Sequence, residues 1–491
     1  MQGQKRFLPK LFYSLNLEEL VPADHILRRF ESLISLDFLY EETRPHYSHT
    51  GQPSVDPVVL FKMMLLGYLF GISSERKLAK EIQVNMAFRW YLGYDLDEAT
   101  PNHSVLSKAR ARFPEEVFAS FFNRVIELCL KSGLIKGEAV FMDSTLIKAN
   151  ASLDSFVEVK EEPASYIKRV YQENNFEEGE HLAKDGTIGR HFDGDVDIEK
   201  MGRRRKRCFV NSEYKSTTDP EASMVYRPGI GRQAAYKGHL AVDNHRRIIT
   251  AVEVSSGTAD DTTAVDALIE GHVLAAGKLP EFAVADSHYG TSELYNYLDQ
   301  KGITAVIKPR RTRNRPGFLT IEDFKYDDKR DCYICPQGEI LKLKTYQHTV
   351  HRKTYLADKE ACRNCPIRDK CTTSKRQGRL LTRFIDDHFE EAERVVKTNL
   401  VKTLLGQRQS IIEGVFGEAK SFHLLRRALF RGKAKLKIQL LLTAAVLNLK
   451  RLARWLRKQA AISLEAIREF LFGPSEIEPC LTAPCMACQQ F

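Results

Sequence analysis

Three acidic residues have the type and setting to do metal-dependent chemistry. Asp143 closes the apolar run AVFMD, Asp286 closes FAVAD, and Glu413 lies within the helical stretch RQSIIEGVFGEAK. A carboxylate just past an apolar run of strand length is expected at the end of a buried strand, with its oxygens emerging from the sheet. Two such strand ends can share a metal. Hard Mg²⁺ takes oxygen ligands and keeps several waters, so two or three carboxylates plus substrate phosphate can hold a pair of ions about 4 Å apart. A single Asp at a strand end can equally do no more than start a turn. The three together predict a nuclease centre.

The elements around them alternate as an α/β core requires. TSELYNYLDQ after Asp286 reads as a helix and TAVIKPR as the next strand, from which Lys308, Arg310 and Arg311 leave near the acidic edge. The helix of Glu413 also carries Arg408 and Lys420, and is followed by KLKIQLLLTAAVLNLKRLARWLRK, a long amphipathic segment expected to pack on the sheet. Upstream, residues 1–115 read as helical, with helix-spaced apolar positions in HILRRFESLISL, VDPVVLFKMMLLGYL and ERKLAKEIQVNMAFRWYL. Within them SSERKLAKEI opens on a Ser pair suited to cap a helix, and PNHSVLSKARARF carries Lys108, Arg110 and Arg112. Two helices around a turn there would form a helix-turn-helix offering these cations to DNA, or simply a solvated basic face.

As a set, FMDSTLIKANAS, AYKGHLAVDNHRRIITAVEVSSGTADDTTA, VADSHYGT and RQSIIEGVFGEAKSFHLLRRALFRG resemble the DDE transposases of bacterial insertion sequences over nearly the whole chain. The resemblance implies a ribonuclease H-like catalytic core, a mixed five-stranded sheet with flanking helices, plus an all-α N-terminal domain that binds transposon ends. It implies Asp143, Asp286 and Glu413 as catalytic residues holding two Mg²⁺, with Mn²⁺ able to substitute. DNA strand cleavage and strand transfer would follow at the terminal inverted repeats, performed by a homodimer assembled on double-stranded DNA. Arg408 and Lys420 would grip phosphates near the scissile bond. His239 and Asp261 lie in segments like those of relatives and are not assigned catalysis. Two departures stand out: Leu405 occupies a position where many relatives have Tyr, and Ser-His-Tyr follows Asp286 where relatives often have Lys or Arg before Gly-Tyr. A DNA-binding regulator that has lost the chemistry, or a phosphatase or nuclease for other substrates, are the rival readings.

The composition is compatible with this. Against 64 Asp and Glu stand 74 Lys and Arg, a net charge of +10, which suits a polyanionic partner. The apolar stretches at 63–72 and 440–449 are shorter than the roughly 20 residues of a membrane helix. The first residues lack an apolar segment with a small-residue cleavage site, which predicts a cytoplasmic bacterial protein that does not enter the membrane. The expected organisation is a helical domain (1–115), a core in two parts (116–150 and 232–311), a charged insert (151–231) with the run Arg203–Arg207, a cysteine-rich insert (312–395), core helices (396–460) and a tail (461–491).

Ten cysteines without an export signal argue for metal binding or reduced thiols. Cys332-x-x-Cys335 and Cys362-x-x-Cys365, 26 residues apart and followed by Cys371, have the spacing of a zinc ribbon. Which four of the five bind stays open, as does an iron–sulfur alternative. LKLKTYQHTVHRKTYL between them suits a small β-unit, and Cys480, Cys485 and Cys488 in the tail read as casual thiols.

Overall fold

The computed structural model describes residues 16–48, 50, 54–158, 214–227, 229, 231–309, 317–347, 352–374, 376–384 and 387–472. The basic run 203–207, Arg310, Arg311 and the three tail cysteines lie outside the described residues.

Among the described residues eight α-helices come first: α1 (Leu17–Leu20), α2 (Ile26–Leu33), α3 (Phe38–Thr43), α4 (Pro57–Leu69), α5 (Glu75–Val84), α6 (Met86–Leu92), α7 (Ser104–Arg112) and α8 (Glu115–Lys131). Their starts follow local chemistry. Asp56 accepts the Val58 N–H at 2.7 Å ahead of Pro57, and Ser74 accepts the Lys77 N–H at 3.3 Å, as expected of the Ser pair. Helix α6 intervenes between α5 and α7, so the two helices expected around one turn are separated by a third. Asn85 ends α5 and caps α6 at once, accepting the N–H groups of Ala87 and Phe88, which is why the chain restarts a helix there.

The central sheet contains β1 (Ala139–Lys148), β4 (Ser223–Arg227), β5 (Gly231–Asp243), β6 (Ile249–Ser256), β7 (Phe282–Val284) and β8 (Thr304–Val306). A two-stranded pair, β2 (Phe156–Glu158) and β3 (Tyr214–Ser216), stands apart. Six strands replace the expected five, because the long β5 pairs with β6 over residues 236–242 and with β4 over 231–235. Strands β4, β6 and β1 each pair antiparallel with β5, whereas β1, β7 and β8 are parallel to one another, so the sheet is mixed.

Alternation along β1 sends Val140 and Met142 to one face and Ala139 and Phe141 to the other. The first face packs on α9 (Val265–Ala276) and α10 (Ser292–Gln300) through Leu268, Ile269 and Leu298. The second packs on the last helix, Lys433–Phe472, whose Leu440, Leu442 and Val446 are fully buried. Asn448 of that helix, also buried, accepts the Ile249 N–H at 2.9 Å and donates to the Ile249 carbonyl at 2.7 Å, beside a register shift in the β5–β6 ladder. Its amide satisfies backbone groups that the irregular ladder leaves over. The N-terminal helices do not bury a core of their own: Leu27, Phe61 and Phe118 belong to the same continuous apolar cluster as Phe141 and Leu440. Among the described residues, no helix is long and apolar enough to cross a membrane.

The cysteine-rich segment forms a second antiparallel sheet of five strands, β9 (Lys325–Asp327), β10 (Cys332–Ile334), β11 (Ile340–Gln347), β12 (Arg352–Leu356) and β13 (Leu380–Phe384). Strands β11 and β12 are the expected β-unit. Asp331, held at φ +43, ties the sheet by accepting from Lys353, Tyr355 and Tyr326 at 2.5–2.8 Å.

Candidate active site

Asp143 does not end its strand. Strand β1 continues to Lys148, because Ser144–Lys148 keep pairing with β5. The shorter, parallel β7 does stop, its last pair being Phe141 with Val284. Asp143 and Asp286 therefore each lie two residues beyond that pair, where the sheet splits at the carboxyl end of β7. Asp286 begins a turn as well, accepting the His288 N–H at 2.8 Å and facing its Nδ1 at 3.1 Å.

Glu413 comes to the same place from the C-terminal helices. Residues Gln409–Glu413 form a π-helical turn between the helices Asn399–Arg408 and Gly414–Phe422. In an ordinary α-helix neighbours on one face are three or four residues apart. The wider turn, with its i→i+5 bonding, brings residues five apart together. The Arg408 guanidinium thus reaches Glu413 Oε1 at 2.9 Å and, across the sheet edge, Asp143 Oδ2 at 3.1 Å. One cation bridges the first and third carboxylates.

Burial is the largest influence on Asp143 and pushes its carboxyl up. The Ser144 N–H and Arg408 oppose that shift, the charges of Asp286 and Asp261 add to it, and the result is about 6. Beneath the site Asp261 accepts from Ser144 Oγ at 2.6 Å and pairs with Lys237 at 2.9 Å. Burial would raise the Asp261 carboxyl, but these two hydrogen bonds outweigh it and hold it below the usual range. His239 is buried with Nε2 against Ser255 Oγ at 2.7 Å, and burial lowers its imidazole to about 4, so it is neutral at pH 7. Tyr289, fully buried, escaped sequence reasoning: burial and then the charges of Asp261, Asp143 and Asp286 hold its phenol well above the ordinary value. The signal for it was the tyrosine in VADSHYGT, three residues after Asp286.

Among the described residues, no group of three or more His, Cys, Asp or Glu side chains is already arranged to hold a metal ion. At the carboxylates, the position between Asp143 and Glu413 is spanned by Arg408.

Residues 15–112 match the family model for a transposase domain (DUF772), and residues 334–453 match that for a transposase DDE domain. The chain belongs to the DDE transposases of insertion-sequence type. A cryo-EM structure of a piggyBac transposase synaptic complex with hairpin DNA aligns over 92% of this transposase and 80% of its own chain, at 11% identity and a TM-score of 0.33. No curated protein matches the sequence.

The transposase places its candidate DNA-contacting cations unequally. Lys420 donates to Thr145 Oγ1 on β1, two residues from Asp143, and lines a cleft with Asn150, Arg426 and Arg427. Lys108 and Lys308 are exposed. Arg112 is exposed too, lying over the Tyr47 ring at 4.6 Å. Arg110, expected among the cations that face DNA, is instead buried, paired with Glu75 and set over the Phe430 ring at 4.1 Å. Helix periodicity decides this: Arg110 shares a face of α7 with the buried Leu106, while Lys108 and Arg112 turn outward.

Proposed function

We propose that this transposase cleaves DNA at the terminal inverted repeats of an insertion sequence and joins the freed strands to target DNA, using Asp143, Asp286 and Glu413 around two Mg²⁺ ions in a ribonuclease H-like core. The observation that carries the reading is that Asp143 and Asp286 each lie two residues past the last β1–β7 pair, with Glu413 tied to Asp143 through Arg408. The strand order supports the fold assignment: β6, β5 and β1 antiparallel, then β7 and β8 parallel.

The donor set fits hard divalent cations, since it consists of carboxylate oxygens, and Arg408 already sets a positive charge between Asp143 and Glu413. When bound, such ions supply a nucleophile of lowered pKa, from water or a DNA 3′-hydroxyl, and stabilise the leaving oxygen. The protein's part is to aim its carboxylates and hold the phosphates. Lys420, fixed on Thr145, would anchor a phosphate beside the scissile bond, and exposed Lys108, Arg112 and Lys308 would track the backbone. Arg110 is left out of that set because its charge is already paired. A homodimer on DNA would bring the two element ends together.

The test is cleavage of a labelled duplex carrying the terminal repeats, with and without Mg²⁺ or Mn²⁺. Asp286→Asn and Glu413→Gln are expected to bind the duplex and fail to cut it. Undiminished cutting by either variant would sink the assignment. Binding without metal-dependent cutting by the native chain would favour a DNA-binding regulator.

Arg408 supplies a further prediction. It competes with cations for Asp143 and Glu413, so Arg408→Gln should tighten Mn²⁺ binding to the DNA-free protein roughly three- to tenfold, from ion pairing on the order of 1 kcal/mol. Cleavage should fall in the same variant, because a phosphate contact is lost. Calorimetric Mn²⁺ titration checks the first effect, and unchanged affinity would show that Arg408 does not guard the site.

A further inference from the structure

We propose that Cys335, Cys362, Cys365 and Cys371 bind one structural zinc ion as four thiolates, and that Cys332 takes no part. The proposal concerns the insert alone and does not depend on the cleavage chemistry.

The fold collects these four from separate pieces of chain. Cys371 is buried within the small core of the second sheet, with Tyr333, Leu341 and Tyr355, and Cys335 and Cys362 pack against that core. Cys365 follows Cys362 by three residues, and its charge, like those of Cys362 and Cys335, bears on the Cys371 thiol. Cys332 precedes Tyr333 on β10, and strand alternation sends it to the opposite face from the core.

Backbone donors are aimed at two of the sulfurs. After Cys335 the chain folds back sharply: the Gly338 N–H donates to the Cys335 carbonyl at 2.8 Å, the Cys335 N–H to the Glu339 carbonyl at 2.8 Å, and the Glu339 N–H to Cys335 Sγ at 3.3 Å. Gly338 has φ +84, a backbone that other side chains rarely adopt. The Arg379 N–H reaches Cys362 Sγ at 3.4 Å. That approach needs Gly378, since a Cβ there would stand 2.3 Å from the Ala357 carbonyl oxygen. A neutral thiol is a weak acceptor, whereas a thiolate gains from N–H donors that orient it and spread its charge.

Energetics point the same way. A sheet with so small a core of its own is of the kind that a metal or cross-link commonly completes. Binding would release four S–H protons to solvent as four S–Zn bonds of about 2.3 Å form. No three of these side chains already stand in place for a metal, so binding must draw the sulfurs together.

The experiment is metal analysis of the full-length protein purified without chelator. The expected content is about one zinc per chain, retained in Cys332→Ser and lost in Cys362→Ser and Cys365→Ser. Cobalt(II) substitution of the native chain, which needs no variant to fold, should give the charge-transfer and d–d bands of a tetrahedral four-thiolate site. A substoichiometric zinc content, a disulfide between any two of the four on non-reducing peptide mapping, or equal zinc loss in Cys332→Ser would overturn the proposal. Because none of these readouts measures DNA cutting, failure here and failure of the cleavage assignment are separable.

Discussion

Asp143→Asn is expected to abolish metal-dependent strand cleavage while making the metal-free protein more stable at neutral pH. The loss of cleavage follows from removing an anionic oxygen that would hold an ion providing several kcal/mol of transition-state stabilisation, a fall on the order of a thousandfold. The gain in stability follows from the raised carboxyl. Its value of about 6 in the fold exceeds 3.8 in the unfolded chain, so folding favours the protonated form. Below about pH 4 both states are protonated and the carboxyl costs nothing; between pH 4 and 6 the cost grows, and above 6 it is complete. Asparagine cannot ionise, so the variant should gain roughly 2–3 kcal/mol at pH 7 and almost nothing at pH 4. Urea denaturation of metal-free wild type and variant at the two pH values tests this. Equal stabilisation at both would mean that the ionised carboxylate is not the source of the strain.

Phe61→Ala should destabilise the protein by about 3–5 kcal/mol, the cost of removing a large buried aromatic and leaving a cavity. Phe61 is fully buried on α4 and its ring stacks on Phe118 at 5.1 Å and meets Phe121 edge-on at 5.8 Å, contacts that add to the burial term. The more informative outcome is the shape of the transition. Because Phe61 and Phe118 share one apolar cluster with Phe141 and Leu440, the variant should lower the midpoint of a single transition that also unfolds the sheet. A separate early transition confined to the N-terminal helices would show that they fold as an independent unit.

Much of the architecture was legible in the chain because it is written in local patterns. Continuous apolar runs marked β1 and β7, helix-spaced ones marked α2, α4, α5 and α6, and caps such as Asp56 and Ser74 lie where side-chain chemistry puts them. The candidate carboxylates were visible for the same reason, each standing beside an apolar run or in a helix. What local pattern misjudged was extent and facing. Strand β1 runs past Asp143 because a partner far along the chain keeps pairing with it, and β4 joins the sheet because β5 is long enough to take two neighbours on successive stretches.

The sequence by itself determined the elements, the family and the inventory of acidic, basic and thiol groups, since periodicity, capping and residue type are properties of neighbouring residues. Only the tertiary structure decided which members of that inventory meet. It set Arg408 between Asp143 and Glu413 through a π turn, buried Arg110 on Glu75 and Phe430, and brought the charges of all three strand-side acids, Asp261, Asp143 and Asp286, to bear on Tyr289. Each of these depends on contacts between residues far apart in the chain, whose free energy comes from burial and charge in the assembled fold and has no counterpart in local spacing.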